Sequence, residues 1–133
     1  MRILIDTNVL FSALLFPSSK PARALLDVAR NHEMILTDRN IEELKDVLRR
    51  KRPDLLPVID TFLSELSFTL ISAVDLPTVS IRDAKDQPIL SAAILEGLDL
   101  VITGDKDFLS LRLQRPECIT AAEYCERYMP PNE

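Results

Sequence analysis

Asp6, Glu43, Asp86 and Asp105 are the residues of this 133-residue chain whose types and placement suit them to joint chemistry. Asp6 directly follows the apolar run Ile3-Leu4-Ile5, and Asp105 and Asp107 follow Leu100-Val101-Ile102-Thr103 across Gly104. Glu42 and Glu43 lie on a helical segment after Met34 to Thr37, and Asp83 and Asp86 precede a helix that starts near Pro88. Four converging carboxylates repel one another, which raises their pKa values and destabilises the fold unless a cation sits among them. Oxygen-only ligands without His or Cys suit Mg²⁺ or Mn²⁺, hard ions that keep several waters and bind phosphate. Such ions acidify a bound water into a nucleophile and offset charge on a phosphorus under attack.

Taken singly, most of these acids have ordinary structural readings. Asp38 heads its helix and is expected to be its N-cap. Asp86 stands just before Pro88, and an acid ahead of a first-turn proline is common capping chemistry. Asp105 suits a cap for the short helix implied by Phe108-Leu109-Ser110-Leu111. Glu42 and Glu43 fit a solvated face, paired with Lys45 or an arginine one turn away. Asp6 is the exception, because a carboxylate immediately beyond a buried strand is harder to assign to the surface.

The elements that must position these acids are visible as alternating runs. Five short apolar stretches, Ile3-Leu4-Ile5, Met34 to Thr37, Phe68 to Ile71, Leu100 to Thr103 and Cys118-Ile119-Thr120, predict strands buried on both faces. Between them, Ala22 to Arg30, Ile41 to Arg50, Leu55 to Leu66 and Pro88 to Glu96 carry apolar residues at helical spacings. That alternation predicts an α/β domain with a mainly parallel sheet. Ligands in such sheets bind beyond the strands' carboxyl ends, where strand order reverses. Asp6 and Asp105 both fall at that edge.

Composition narrows the function classes. The length fits one domain, and 47% hydrophobic with 28% charged residues is a globular profile. The formal charge of −5 gives no whole-molecule attraction to nucleic acid, so a phosphate-bearing substrate needs a cation or a local basic patch. Arg49 to Arg52 form one basic run, and Arg82, Lys85, Lys106, Arg112 and Arg115 flank the later acids. The single histidine, His32, excludes a His pair, and two glycines, Gly97 and Gly104, exclude a Gly-rich phosphate loop. Cys118 and Cys125 are too few for a disulfide framework. No apolar run approaches the roughly 20 residues of a membrane span, and Asp6 interrupts the apolar start; a cytoplasmic protein is expected.

The segments "ILIDTNVLFSALL", "IEELKDVL" and "RDAKDQPILSAAILEGLDLVITGDKDFLSL" resemble a PIN domain, most like the small VapC-like toxins of bacterial and archaeal toxin–antitoxin pairs. The resemblance runs from Arg2 to about Tyr124. It implies a three-layer α/β/α sandwich with a mainly parallel sheet of four or five strands, as one domain over residues 1–128 followed by a short tail, 129–133. It also implies an endoribonuclease that uses Mg²⁺ or Mn²⁺ held by acids. Carried over position by position, the acids are Asp6, Glu43, Asp86 and Asp105. Thr7, Asn8, Asp83, Thr103 and Asp107 are accessory. Glu42 competes with Glu43 and Asp83 with Asp86. Helical spacing favours Glu43, since Val47 and Arg50 follow it at four and seven residues, away from the Ile41-Leu44-Leu48 face. A cognate antitoxin and a homodimer are further implications of the resemblance.

Two rival readings remain at this level. A phosphatase with an aspartyl nucleophile at Asp6 would need a second acid two residues on, where Asn8 stands. A non-catalytic PIN-like binding domain would leave the acids as caps and solvated surface.

Overall fold

All five apolar runs pair into one sheet in a computed structural model that describes residues 1–74 and 80–130. The strands are β1 (Arg2–Ile5), β2 (Glu33–Thr37), β3 (Phe68–Ile71), β4 (Leu100–Ile102) and β5 (Glu117–Ile119). Their order is β3-β2-β1-β4-β5, every pairing is parallel, and the register sets Ile3 beside Met34 and Leu100. The helices are α1 (Thr7–Leu15), α2 (Lys20–Asn31), α3 (Asp38–Lys51), α4 (Leu56–Ser64), α5 (Gln87–Leu95), α6 (Lys106–Leu109) and α7 (Ala121–Tyr128).

Two apolar layers follow from the twofold alternation of strand side chains. Ile3, Ile5, Met34, Leu36, Leu100, Ile102 and Ile119 point to one face, where they pack with Leu10, Leu25, Leu44, Leu48, Ile59 and Tyr124 of five helices. Leu4, Ile35 and Val101 point to the other, against Ile89, Leu90 and Ala93 of α5 and Phe108 of α6. This is the expected three-layer α/β/α sandwich. Gly97, at φ 63°, turns the chain from α5 back toward β4 in a conformation that disfavours any side chain.

Four local expectations change. Helix α1 lies outside the four segments of helical spacing, because "TNVLFSALL" is apolar around most of its circumference and shows no stripe. Asp38 is not an N-cap: Thr37 caps α3, its Oγ1 accepting from the Asn40 amide at 3.0 Å, while Asp38 Oδ1 accepts from the Ala73 amide at 2.8 Å. The helix expected over Leu55 to Leu66 is the shorter α4, with Pro57 in its first turn, and a 3₁₀ turn, Pro53–Leu55, precedes it. Strand β3 is an edge strand, and its Thr69 and Leu70 are exposed rather than buried. Helix α7 ends at Tyr128, and residues 131–133 of the expected tail lie outside the described residues. None of the described helices is long and apolar enough to cross a membrane.

Candidate active site

Strand order reverses at β1, which pairs with β2 on one side and β4 on the other. The Asp6 amide extends this pairing by donating to the Ile102 carbonyl at 3.0 Å, and the chain then turns into α1 with Asp6 as N-cap. Capping aims the carboxylate along the sheet edge. Asp6 Oδ1 accepts from the Thr7 amide at 2.8 Å. Its Oδ2 accepts from Thr103 Oγ1 at 2.7 Å and from Asn8 Nδ2 at 3.3 Å. The same side chains fix the β4 loop: Gly104 N donates to Asn8 Oδ1 at 3.1 Å and Asp105 N donates to Thr103 Oγ1 at 2.9 Å. Asp105 caps α6 by accepting from the Asp107 amide at 2.8 Å, so one carboxylate both caps a helix and borders the crevice.

Helix α3 brings Glu43 to the same edge. Thr7 Oγ1 donates to Glu43 Oε2 at 3.0 Å, and Asn40 Nδ2 donates to Thr7 Oγ1 at 3.2 Å. Asn40 is fully buried, and its Oδ1 accepts from Thr37 N at 3.0 Å and Thr37 Oγ1 at 2.8 Å. A chain of hydrogen bonds therefore joins the start of α3 to Thr7, beside Asp6, and orients Glu43.

Asp86 is held differently. It heads α5 in an αR conformation, and its side chain caps no amide. The residue is 7% exposed, and Oδ2 is a buried atom without a hydrogen-bond partner among the described residues. Burial is the main cause that pushes its carboxyl up to about 8, with repulsion from Asp6 and Asp105 adding to it. Asp6 is also shifted upward, chiefly by burial, against the lowering effect of its Thr103 and Thr7 hydrogen bonds. Burial raises Glu43 as well, opposed first by the Thr7 bond.

Asp6, Glu43, Asp86 and Asp105 line one cavity of about 250 Å³, together with Thr7, Asn8, Phe11, Val47 and Lys51. A second cavity of about 430 Å³ shares Glu43, Val47, Asp86 and Asp105 and adds Arg39, Arg50 and Lys85. Glu43 borders both cavities and Glu42 only the second. Asp86 likewise borders both, whereas Asp83 is exposed and borders only the second. Among the described residues, Asp83, Asp86 and Asp107 form a group in which each offers one oxygen within 4.8 Å of the others. Asp107 Oδ1 also pairs with Arg82 Nε at 3.2 Å. Phe108 is fully buried, and both cysteines are free.

Sequence reasoning missed Asn40 and Phe11. Asn40 stands three residues after Thr37, the reach of a capping box, and that spacing is the one signal that could have drawn attention to it. Phe11 carries no such signal, since its place beside the acids depends on how α1 crosses α3.

The PIN domain family model matches residues 2–107. Among solved structures, a chain of VapBC2 from Rickettsia felis, in a crystal structure bound to a DNA fragment from their promoter, aligns with a TM-score of 0.66 and 19% identity. The alignment covers 90% of this chain and 97% of that one. No curated protein sequence matches. With the family model covering most of the sequence and the acids gathered at the sheet's switch point, this chain belongs to the PIN domain family.

Proposed function

We propose that the protein is a divalent-metal-dependent endoribonuclease and the toxin of a toxin–antitoxin pair. The observation that carries the reading is the convergence of Asp6, Glu43, Asp86 and Asp105 on one cavity, with a buried Asp86 oxygen left unpartnered. The donor set fits Mg²⁺ or Mn²⁺: it is oxygen only, its carboxylates repel one another, and a cation would supply the partner that Asp86 Oδ2 lacks. Asp6, Asp86 and Asp105 would hold the ion, with Glu43 oriented by Thr7 on the facing helix. When bound, the ion supplies Lewis acidity at the phosphate and an acidified water as nucleophile.

The chain's own residues supply the positioning. Thr103 and Asn8 hold one oxygen of Asp6 and the Thr7 amide holds the other, so the carboxylate's direction is fixed before substrate arrives. Asp107, paired with Arg82, and Asp83, beside Asp86, would serve as accessory acids. Asn8 counts against an aspartyl phosphatase, because the position two residues after Asp6 carries an amide already bonded to Asp6 and Gly104.

The toxin assignment extends from the family and from the VapBC2 neighbour, and with it come a cognate antitoxin, a homodimer and a cytoplasmic setting. Incubating RNA with the purified protein tests the enzymatic part. Cleavage that needs Mg²⁺ or Mn²⁺ and leaves 5′-phosphate and 3′-hydroxyl ends is expected. Equal cleavage in EDTA would overturn the mechanism. Co-purification with the product of an adjacent short reading frame, and loss of cleavage in that complex, tests the toxin part.

A further inference from the structure

The cavity that holds the four acids is asymmetric, and its far wall is unlike a site that recognises phosphate alone. On that wall Phe11 of α1 and Lys51 at the end of α3 face each other, with Lys51 Nζ 5.9 Å from the Phe11 ring centre. Phe11 is half-buried and Lys51 is exposed. The second cavity, on the other side of Glu43, has cations in Arg39, Arg50 and Lys85, but it sets Glu42 and Asp46 against them and contains no aromatic ring. Among the described residues, only the side of the acids that carries Phe11 therefore combines a flat aromatic surface with an ammonium.

Resting on the nuclease reading above, we propose that Phe11 and Lys51 form a nucleotide subsite next to the scissile phosphate, specific for single-stranded RNA. The base of the adjoining nucleotide stacks on Phe11, and its phosphate takes the Lys51 ammonium. An exposed cation–π contact is weaker than base–aromatic stacking, so a base displaces the ammonium from the ring and the long lysine side chain swings to the phosphate. Stacking on a ring inside a cavity of about 250 Å³ requires an unstacked base, which a single strand provides and a duplex does not. The ring is also indifferent to base identity, so Phe11 confers strand selectivity rather than sequence preference.

The experiment measures binding of a labelled random pool of single-stranded RNA, about 12 nucleotides long, by fluorescence anisotropy in an Asp6→Asn background that does not cleave. Phe11→Leu keeps the apolar packing of α1 and removes the ring; it is expected to weaken binding about tenfold or more while duplex binding stays as it was. Phe11→Tyr should restore it. Lys51→Ala should lower the slope of log K against log salt by about 0.7, the loss of one phosphate contact. Melting curves of each variant confirm folding. If the unmutated protein cleaves RNA but Phe11→Leu binds single strands as tightly as its parent, the subsite is wrong and the nuclease reading stands. Should the unmutated protein neither cleave nor bind RNA, both fall.

Discussion

Asp6 and Asp86 face the same cavity, are almost equally buried, and are held in opposite ways. Asp6 accepts three hydrogen bonds, from Thr7, Asn8 and Thr103, and every donor is anchored in an element of the sheet edge. Asp86 has an oxygen without a partner among the described residues and lies against acids on two sides. The first arrangement is complete within the protein, since the hydrogen bonds to the ionised form offset part of its desolvation. The second is complete only with a proton or a cation. A site built this way has one rigid half that fixes direction and one half whose energy depends on what is bound.

The largest expected effect separates the halves by activity. Asp6→Ala and Asp86→Ala should each lower the rate of RNA cleavage at least about a hundredfold, since each removes a charge that a divalent ion needs at the reacting phosphate. Single-turnover rates with saturating Mg²⁺ check this. Undiminished cleavage by either variant would show that its carboxylate is outside the reacting group. Asp107→Ala, by contrast, removes an acid that already has Arg82 as partner and should cost far less.

Stability is expected to divide the halves next. Asn40→Ala breaks the bonds among Thr37, Asn40 and Thr7 and leaves buried polar groups unpaired, at a cost of about 1–3 kcal/mol in urea unfolding. Glu43 then loses its oriented neighbour, so cleavage should fall along with stability. If Asn40→Ala unfolds at the same urea concentration as the parent, the hydrogen-bonded chain is not what holds this half rigid.

What the sequence reveals of these halves follows the same division. Apolar strands announce themselves by run length, so the places of Asp6 and Asp105 at strand ends were readable, as were the parallel sheet and the layers around it. Helical spacing favours Glu43 over Glu42, and Glu43 borders both cavities. The supporting groups were harder to read. Asn40 acts through Thr7, 33 positions away in sequence, and no local pattern encodes a contact of that separation. Helix α1 carries no amphipathic stripe, which concealed both its helical form and Phe11's approach to the acids. Asp107 of α6 meets Asp83 and Asp86 from 21 positions further along the chain, so its part in their grouping depends on tertiary packing.

A divalent ion should change the stability of the unfinished half in a way that can be measured without any substrate. If Mg²⁺ binds only the folded protein, a concentration one hundred times Kd adds about 2.7 kcal/mol and raises the melting temperature by several degrees. No shift with Mg²⁺ or Mn²⁺ would favour a non-catalytic binding domain in which the acids are caps and surface. Asp86→Asn should remove most of that shift and, because it has no carboxyl whose proton the unfolded chain releases, raise the melting temperature in EDTA at neutral pH.

The smallest effect, and the most diagnostic, is the dependence of that shift on pH. Asp86 titrates near 8 in the folded protein against 3.8 when unperturbed, so between these values the folded state holds a proton that the unfolded chain has released. Its contribution to stability is fully present below about pH 4 and is lost as pH rises through 8. In EDTA, the melting temperature should therefore decline from pH 6 to pH 9 more steeply in the unmutated protein than in Asp86→Asn. Mg²⁺ competes with the same proton, so the Mg²⁺-induced shift should grow over this range, as the cost of displacing the proton disappears. Parallel melting curves for the two proteins across this range would show that the proton and the ion do not share Asp86, and the contrast between a complete and an unfinished half would fail.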